Sequence, residues 1–284
     1  MKKKIRRILF LFLFSFSLTN CGWMVDSFFP LEIDEFLGKQ YYQGAIRGEH
    51  GTKEFKSEGL RKYVQSITDR VLKSPEIRYK EVFPYKVTVL EDDQTINAVC
   101  APGGYIFVYT GLLRFVDDEA TLAGILAHEI AHAEKRHSTK QLSFNITLYF
   151  ILYTVLSYVL GPDMAEHASD IAGFSSGIVG LANSRSAEEE ADHFGFEYIR
   201  STPYYPGAIA KFFSDIQVWK KEHMGESEEN LPLGKYLSSH PLDEERISEN
   251  ERRLKESGIK APKKEAFFRD RYKAKISSYL PEEK

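Results

Sequence analysis

His128, Glu129 and His132 form the run His128-Glu129-Ile130-Ala131-His132, that is H-E-x-x-H. If this run is helical, positions four apart share a face, so two imidazole nitrogens can meet one Zn²⁺. Glu129, next to the first histidine, is then placed to take a proton from water at the metal. A catalytic zinc needs a third protein ligand and keeps one position open. In the pattern that draws this ligand from the same segment, a glycine would stand at 135 and a histidine at 138. The sequence has Lys135 and Ser138 there. His137 is off that spacing, and on a continuing helix it would point away from the pair, so it reads as structural or solvated. The better third ligand is Glu188, which has Asp192 four residues on. Glu189 and Glu190 rival it in position but lack that acidic partner. Asp192, one turn beyond the ligand, can accept from the second nitrogen of a zinc-binding histidine and so fix its tautomer. The chemistry implied is metal-assisted hydrolysis with one Zn²⁺ per chain.

These groups need two helices. Asp117 and Asp118 precede an apolar-periodic stretch reaching about His137, and acidic residues suit a helix start. A second helix begins near Ser186, where Ser186-Ala187-Glu188-Glu189 fits a capping box with Glu189 as reciprocal partner. Upstream, residues 32–74 read as helical. Tyr85–Leu90 alternates and is β-branched, Pro102-Gly103-Gly104 signals a turn, and Tyr105–Tyr109 reads as a second strand. Further helices are predicted around 209–218 and 243–254. Helices that do not alternate strictly with strands make the fold class α+β, mainly helical with a small sheet.

The 284 residues carry 38 basic and 41 acidic side chains for a net charge of −3, which offers no electrostatic case for nucleic acid. Residues 1–20 join a basic start to a short apolar run and read as a signal peptide, leaving 21–284 as a single catalytic domain. Leu18-x-x-Cys21 resembles a lipobox, so Cys21 is expected to carry a lipid anchor, although Asn20 replaces the usual small residue. Gly22 follows it, which lacks the usual inner-membrane retention signal. Cys100 then has no partner, and the core must carry the stability. The uncharged stretch 141–162 reads either as a membrane span or as a buried or cleft-covering helix. Its polar and tyrosine content favours the second.

Four blocks together resemble a known family. They are Ile96–Val108, His128–His132 with His137, Ser184–Asp192 and Ser239-His240-Pro241-Leu242-Asp243-Glu244-Glu245-Arg246. They are similar to blocks of the gluzincin peptidases that include the CAAX prenyl endopeptidases, the HtpX-like membrane proteases and the periplasmic outer-membrane quality-control proteases. Ser239 and Asp243 depart from that pattern, which has Thr and Pro at those places. The resemblance implies a zincin-like fold whose edge strand borders the cleft. It implies that Gly104–Tyr109 is this edge and receives substrate main chain, with Asn97, Gly103, Gly104 and Ile106 as substrate-binding residues. It places His240 near the metal, as a ligand or as an oxyanion stabiliser, and lets Arg185 support the Glu188 helix. The expected activity is endopeptidase cleavage of unfolded or misassembled polypeptides at the periplasmic side of a bacterial envelope, with the anchor in the outer membrane. Two other readings stay open: a chaperone or assembly factor that uses the same cleft and cuts rarely, and an integral membrane protease spanning at 141–162.

Overall fold

The computed structural model describes residues 29–49, 51–146, 183–223, 231–260 and 264–281. The chain divides into two compact units. One comprises 1–33 and 139–172, and the other 34–138 and 173–284. In the first, residues 139–146 are helical, and residues 1–20 (expected to be a signal peptide), Cys21 and most of the 141–162 stretch lie outside the described residues. Among the described residues, no helix is long and apolar enough to cross a membrane.

The second unit holds the sheet and the chemistry-bearing helices. Its elements begin with α1 (Leu31–Ile46, entering from the first unit), β1 (Lys53–Glu54), α2 (Glu58–Val71) and β2 (Lys86–Glu91). β3 (Ala98–Ala101), a 3₁₀ turn at Pro102–Gly104 and β4 (Tyr105–Tyr109) follow. Then come α3 (Thr110–Phe115), α4 (Glu119–Glu134), α5 (Arg185–Arg200), α6 (Ala208–Glu222), α7 (Gly234–Ser239), α8 (Glu244–Glu256) and α9 (Arg269–Tyr279). The helix expected over 32–74 is two helices, interrupted by a turn and β1. Ser57 caps the second, its hydroxyl accepting from the Leu60 amide.

The sheet has the order β1-β2-β4-β3. β2 and β4 run parallel, with Val87 opposite Ile106 and Val89 opposite Val108. β3 lies antiparallel to β4, with Cys100 opposite Ile106. This corrects the expected edge: among the described residues β4 is an inner strand, and the edges are β1 and β3. Ile106 is fully buried between neighbours, and its main chain is committed to the ladder. Gly103 and Gly104 take left-handed φ values of 70° and 80°. A Cβ on Gly103 would come within 2.8 Å of the Asp34 carbonyl oxygen, and one on Gly104 within 3.0 Å of the Tyr85 ring. These glycines therefore serve a tight turn packed on α1 and β2.

Helix α4 occupies the centre. The sequence suggested one apolar face; instead all of its residues are buried, because β3, α2, α5, α6 and α9 each pack against it. Its alanines and Gly124 keep it thin enough to be surrounded. Asp118 caps it, its carboxylate accepting from the Thr121 amide at 2.8 Å. It ends at Glu134, three residues before the expected boundary. Arg136 turns the chain through a left-handed φ of 57°, and its buried guanidinium donates to Asp34 at 2.7 and 3.0 Å.

Candidate metal centre

Two helices distant in sequence bring the site together. Gly195 of α5 packs on the α4 backbone at His128, where a Cβ would stand 3.1 Å from the His128 nitrogen. That close approach sets the α5 side chains over the H-E-x-x-H turn. α5 begins at Arg185, and its cap is Ser184, whose hydroxyl accepts from the Ala187 amide at 3.2 Å. The expected cap at Ser186 is therefore two residues late. Glu188 lies in the first turn, completely buried.

The side chains of His128, His132, Glu188 and His240 converge, each offering a ligand atom, and these atoms all lie within 4.8 Å of one another. His132 Nε2 is 3.0 Å from His128 Nε2 and 3.2 Å from Glu188 Oε1. His128 Nε2 is 3.4 Å from Glu188 Oε2. His240, at the C-terminal end of α7, places Nδ1 3.1 Å from Glu188 Oε1 and 3.4 Å from His128 Nε2. The Tyr236 ring stacks on it at 5.0 Å.

The surroundings ask for positive charge. Three buried carboxylates, Glu129, Glu188 and Asp192, stand with one buried guanidinium, Arg246. With the imidazoles neutral, as ligands to a metal must be, that leaves a formal excess of two negative charges in a buried site, which a divalent cation balances; without a cation, a proton on His128 offsets part of it. Burial works against ionisation of Glu188, but the His240, His128 and His132 rings outweigh it and hold its carboxyl well below the usual range. Burial also works against a charged His128, yet Asp192 and Glu188 beside it raise its pKa to about 10. At His132 burial wins and the ring stays neutral to well below its ordinary pKa. A set of imidazoles and one carboxylate, buried and short of positive charge, fits zinc.

Glu129 stands at the rim of this set. The Cys100 amide, on the outward side of β3, donates to its Oε2 at 2.9 Å. Its Oε1 has no hydrogen-bond partner and faces His240 Nε2 at 3.5 Å. Burial, the leading cause, raises its pKa above the ordinary carboxylate value, partly offset by His240 and His128.

Asp192 lies 2.9 Å from His128 Nδ1. Arg246 of α8 grips it with Nε and Nη2, both at 2.9 Å, and Asn250 Nδ2 adds a third donor at 3.2 Å. Arg246 also reaches Glu188 Oε2 and the Pro241 carbonyl through Nη1, at 2.8 and 2.7 Å. One guanidinium thereby ties the Glu188–Asp192 helix to the turn carrying His240. Arg185 stays at the surface, pairing with Asp243 and Glu245 at the start of α8. Asn97, just before the edge strand, is buried, its carbonyl accepting from the Tyr109 amide and its Oδ1 without a hydrogen-bond partner.

Three features escaped the sequence reading. Arg246 and Asn250 have no spacing relation to Asp192, since α8 meets α5 only through the fold. Because α4 ends early, His137 does not point away. Its ring is buried, with Nδ1 2.8 Å from His132 Nδ1. The Cys100 amide is a main-chain donor and carries no sequence signal.

A mainly helical α+β unit with a small mixed sheet, a buried H-E-x-x-H helix and a glutamate from a second helix defines a zincin-like metallopeptidase fold. The chain belongs to peptidase family M48, whose model matches residues 59–254. It is 26% identical over 198 residues to the beta-barrel assembly-enhancing protease of Yersinia pestis, covering 67% of this chain and 38% of that one. It is 31% identical over 155 residues to the mitochondrial metalloendopeptidase OMA1 of Arabidopsis thaliana, covering 55% and 29%. With OMA1 of Schizosaccharomyces pombe it shares 30% identity over 168 residues, covering 59% and 46%. The chain thus spans less than half the length of each of these relatives.

Proposed function

We propose that this chain is a zinc-dependent endopeptidase of the bacterial cell envelope that cuts unfolded or misassembled proteins. Residues 1–20 would direct export, and a lipid on Cys21 would hold the protein on the periplasmic side, in the outer membrane. The observation that carries the reading is the buried donor set His128, His132, Glu188 and His240, short of positive charge and bordered by a carboxylate with one unpartnered oxygen. The kinship with a beta-barrel assembly-enhancing protease supports envelope proteins as the substrate class.

When bound, zinc supplies Lewis acidity toward a scissile carbonyl and toward water. Glu129 takes the proton of the attacking water on Oε1 and delivers it to the leaving amine, while the Cys100 amide holds Oε2 in place. His240 serves as a further ligand or donates to the developing oxyanion. Asp192 keeps His128 in the tautomer that turns Nε2 inward.

Substrate main chain would run along β3. The Asn97 carbonyl accepts from the Tyr109 amide, so alternate residues face β4 and Ala98 and Cys100 turn outward; the Cys100 amide is taken by Glu129, which leaves the Ala98 amide and carbonyl and the Cys100 carbonyl for a peptide. Both residues are buried, and the Pro232 carbonyl already accepts from the Ile96 amide.

The test is direct. The purified chain, loaded with one zinc, is mixed with a urea-unfolded outer-membrane β-barrel protein and with its folded form, and new N-termini are read by mass spectrometry. Cleavage of the unfolded form only, abolished by chelation and restored by zinc, is expected. No new termini in either sample would overturn the proposal. Palmitate-analogue labelling that persists in Cys21→Ser would remove the anchor.

A further inference from the structure

We infer that His137 and Glu190 form a positioning relay for His132, a second support for the metal built differently from the one behind His128. The inference rests on the metal-site reading above. Its starting point is proton accounting around one ring. His132 turns Nε2 toward Glu188 and His128, 3.2 and 3.0 Å away. For that nitrogen to offer a lone pair to a cation, the proton of the neutral ring must sit on Nδ1. His132 Nδ1 has His137 Nδ1 as its neighbour at 2.8 Å, so His132 donates and His137 accepts there. That assigns the His137 proton to Nε2. His137 Nε2 lies 3.0 Å from Glu190 Oε2, a carboxylate able only to accept. Every hydrogen bond in the series then runs one way, from His132 through His137 to Glu190.

The geometry has a specific cause. α4 stops at Glu134, and the left-handed turn at Arg136 carries His137 back beneath His132. The two rings meet edge to face, with centroids 4.8 Å apart and planes 73° apart. Glu190 comes from the first turns of α5, two residues after the ligand Glu188. The helix that supplies the carboxylate ligand therefore also supplies the end of the relay. His137 is 5% exposed at its side chain and Glu190 40%, so the relay links a buried ligand to a group that water reaches. The His128 support is closed by contrast: Asp192 is buried and gripped by Arg246 and Asn250. An outer partner of a metal-binding histidine contributes about 10–100-fold in affinity. Here that contribution passes through an imidazole before reaching a carboxylate.

The experiment measures zinc affinity by competition with a chromogenic chelator, using the full mature chain. Long-range ¹H–¹⁵N spectra of the zinc-loaded protein report the histidine tautomers. His137→Phe keeps an aromatic ring and removes both nitrogens; it is expected to weaken zinc binding about 10-fold or more. His137→Gln, which can still accept and donate, should recover part of that loss. Glu190→Ala, at a half-exposed helix position, covers the case in which His137→Phe does not fold. It is expected to weaken zinc binding by a smaller factor and to change the His137 tautomer signal. A folded His137→Phe with wild-type affinity and an unchanged His132 spectrum, or a Glu190→Ala with wild-type affinity and unchanged His132 and His137 spectra, overturns the relay. If the wild-type chain binds no zinc, or His128→Ala binds it as well as wild type, the metal site itself falls and the relay falls with it.

Discussion

Helix α4 carries a buried carboxylate cluster near each end, separated by about 15 Å of helix axis, and they are built on opposite rules. At the start, Glu119 is completely buried and fully satisfied. Tyr63 donates to one oxygen at 2.9 Å and Tyr204 to the other at 2.5 Å. Arg70 adds a bond at 2.8 Å, and Arg271 of α9 grips both oxygens. Two guanidiniums for one carboxylate, with no oxygen left over, make a joint fastening α2, α9 and the turn after α5 to the helix. Toward the other end, carboxylates outnumber guanidiniums, and Glu129 keeps an oxygen without a hydrogen-bond partner. A buried polar group normally finds its partners. Where it does not, the missing partner is the feature to explain, and the proposed function explains it by a water that Glu129 would deprotonate beside the metal. Equal burial thus means structure in one cluster and chemistry in the other.

The sharpest way to break this comparison is to change one carboxylate at each end. Glu129→Gln should retain zinc and lose about 10²–10⁴-fold in peptide hydrolysis, since it removes the proposed general base without touching a candidate ligand. Substantial residual turnover in the initial rate on an unfolded protein would remove Glu129 from that role. Glu119→Ala should do the reverse, costing about 3 kcal/mol of stability by urea unfolding, the lower end for a broken buried pair because Arg70 and Arg271 reach solvent. Its zinc affinity should match wild type; a large change would show that the two ends of α4 are coupled.

A smaller effect sharpens the account of the charged end. Burial pushes the Asp192 carboxyl up, but His128 and Arg246 outweigh it and hold its pKa at about 2, below the ordinary value of 3.8. The folded state therefore holds the ionised form more tightly than the unfolded chain does. This contribution, roughly 2 kcal/mol, is present above pH 4 and fades as pH falls toward 2. Chemical unfolding of the zinc-stripped protein across that window should show a shallower acid loss in Asp192→Asn than in wild type. The smallest effect is expected at the surface. Arg185, 67% exposed, pairs with Asp243 and Glu245, and Arg185→Ala should cost less than about 1 kcal/mol in the same assay.

Much of the site was legible because its signals are local. H-E-x-x-H on a helix puts two imidazoles on one face whatever the helix packs against, and Glu188 followed by Asp192 repeats that four-residue logic. The strand at 105–109 and the turn at 102–104 were likewise written in alternation and in glycines. Strand order was not. Both β3 and β4 are apolar enough to be inner or edge, and only the parallel pairing of β2 with β4 leaves β3 outside. His137 was misplaced for a related reason, since its direction depended on where α4 stops, and a buried Asp34–Arg136 pair shapes that stop.

By itself, then, the sequence picked out His128, His132 and Glu188 as candidate donors, Glu129 beside them and the two helices presenting them, because periodicity is a property of consecutive residues. The tertiary structure alone decided which groups stand behind those donors. Arg246 behind Glu188 and Asp192, His137 and Glu190 behind His132, and the Cys100 amide behind Glu129 are each brought in by packing. Close approach of one helix to another, as at Gly195 against His128, leaves no fixed spacing along the chain.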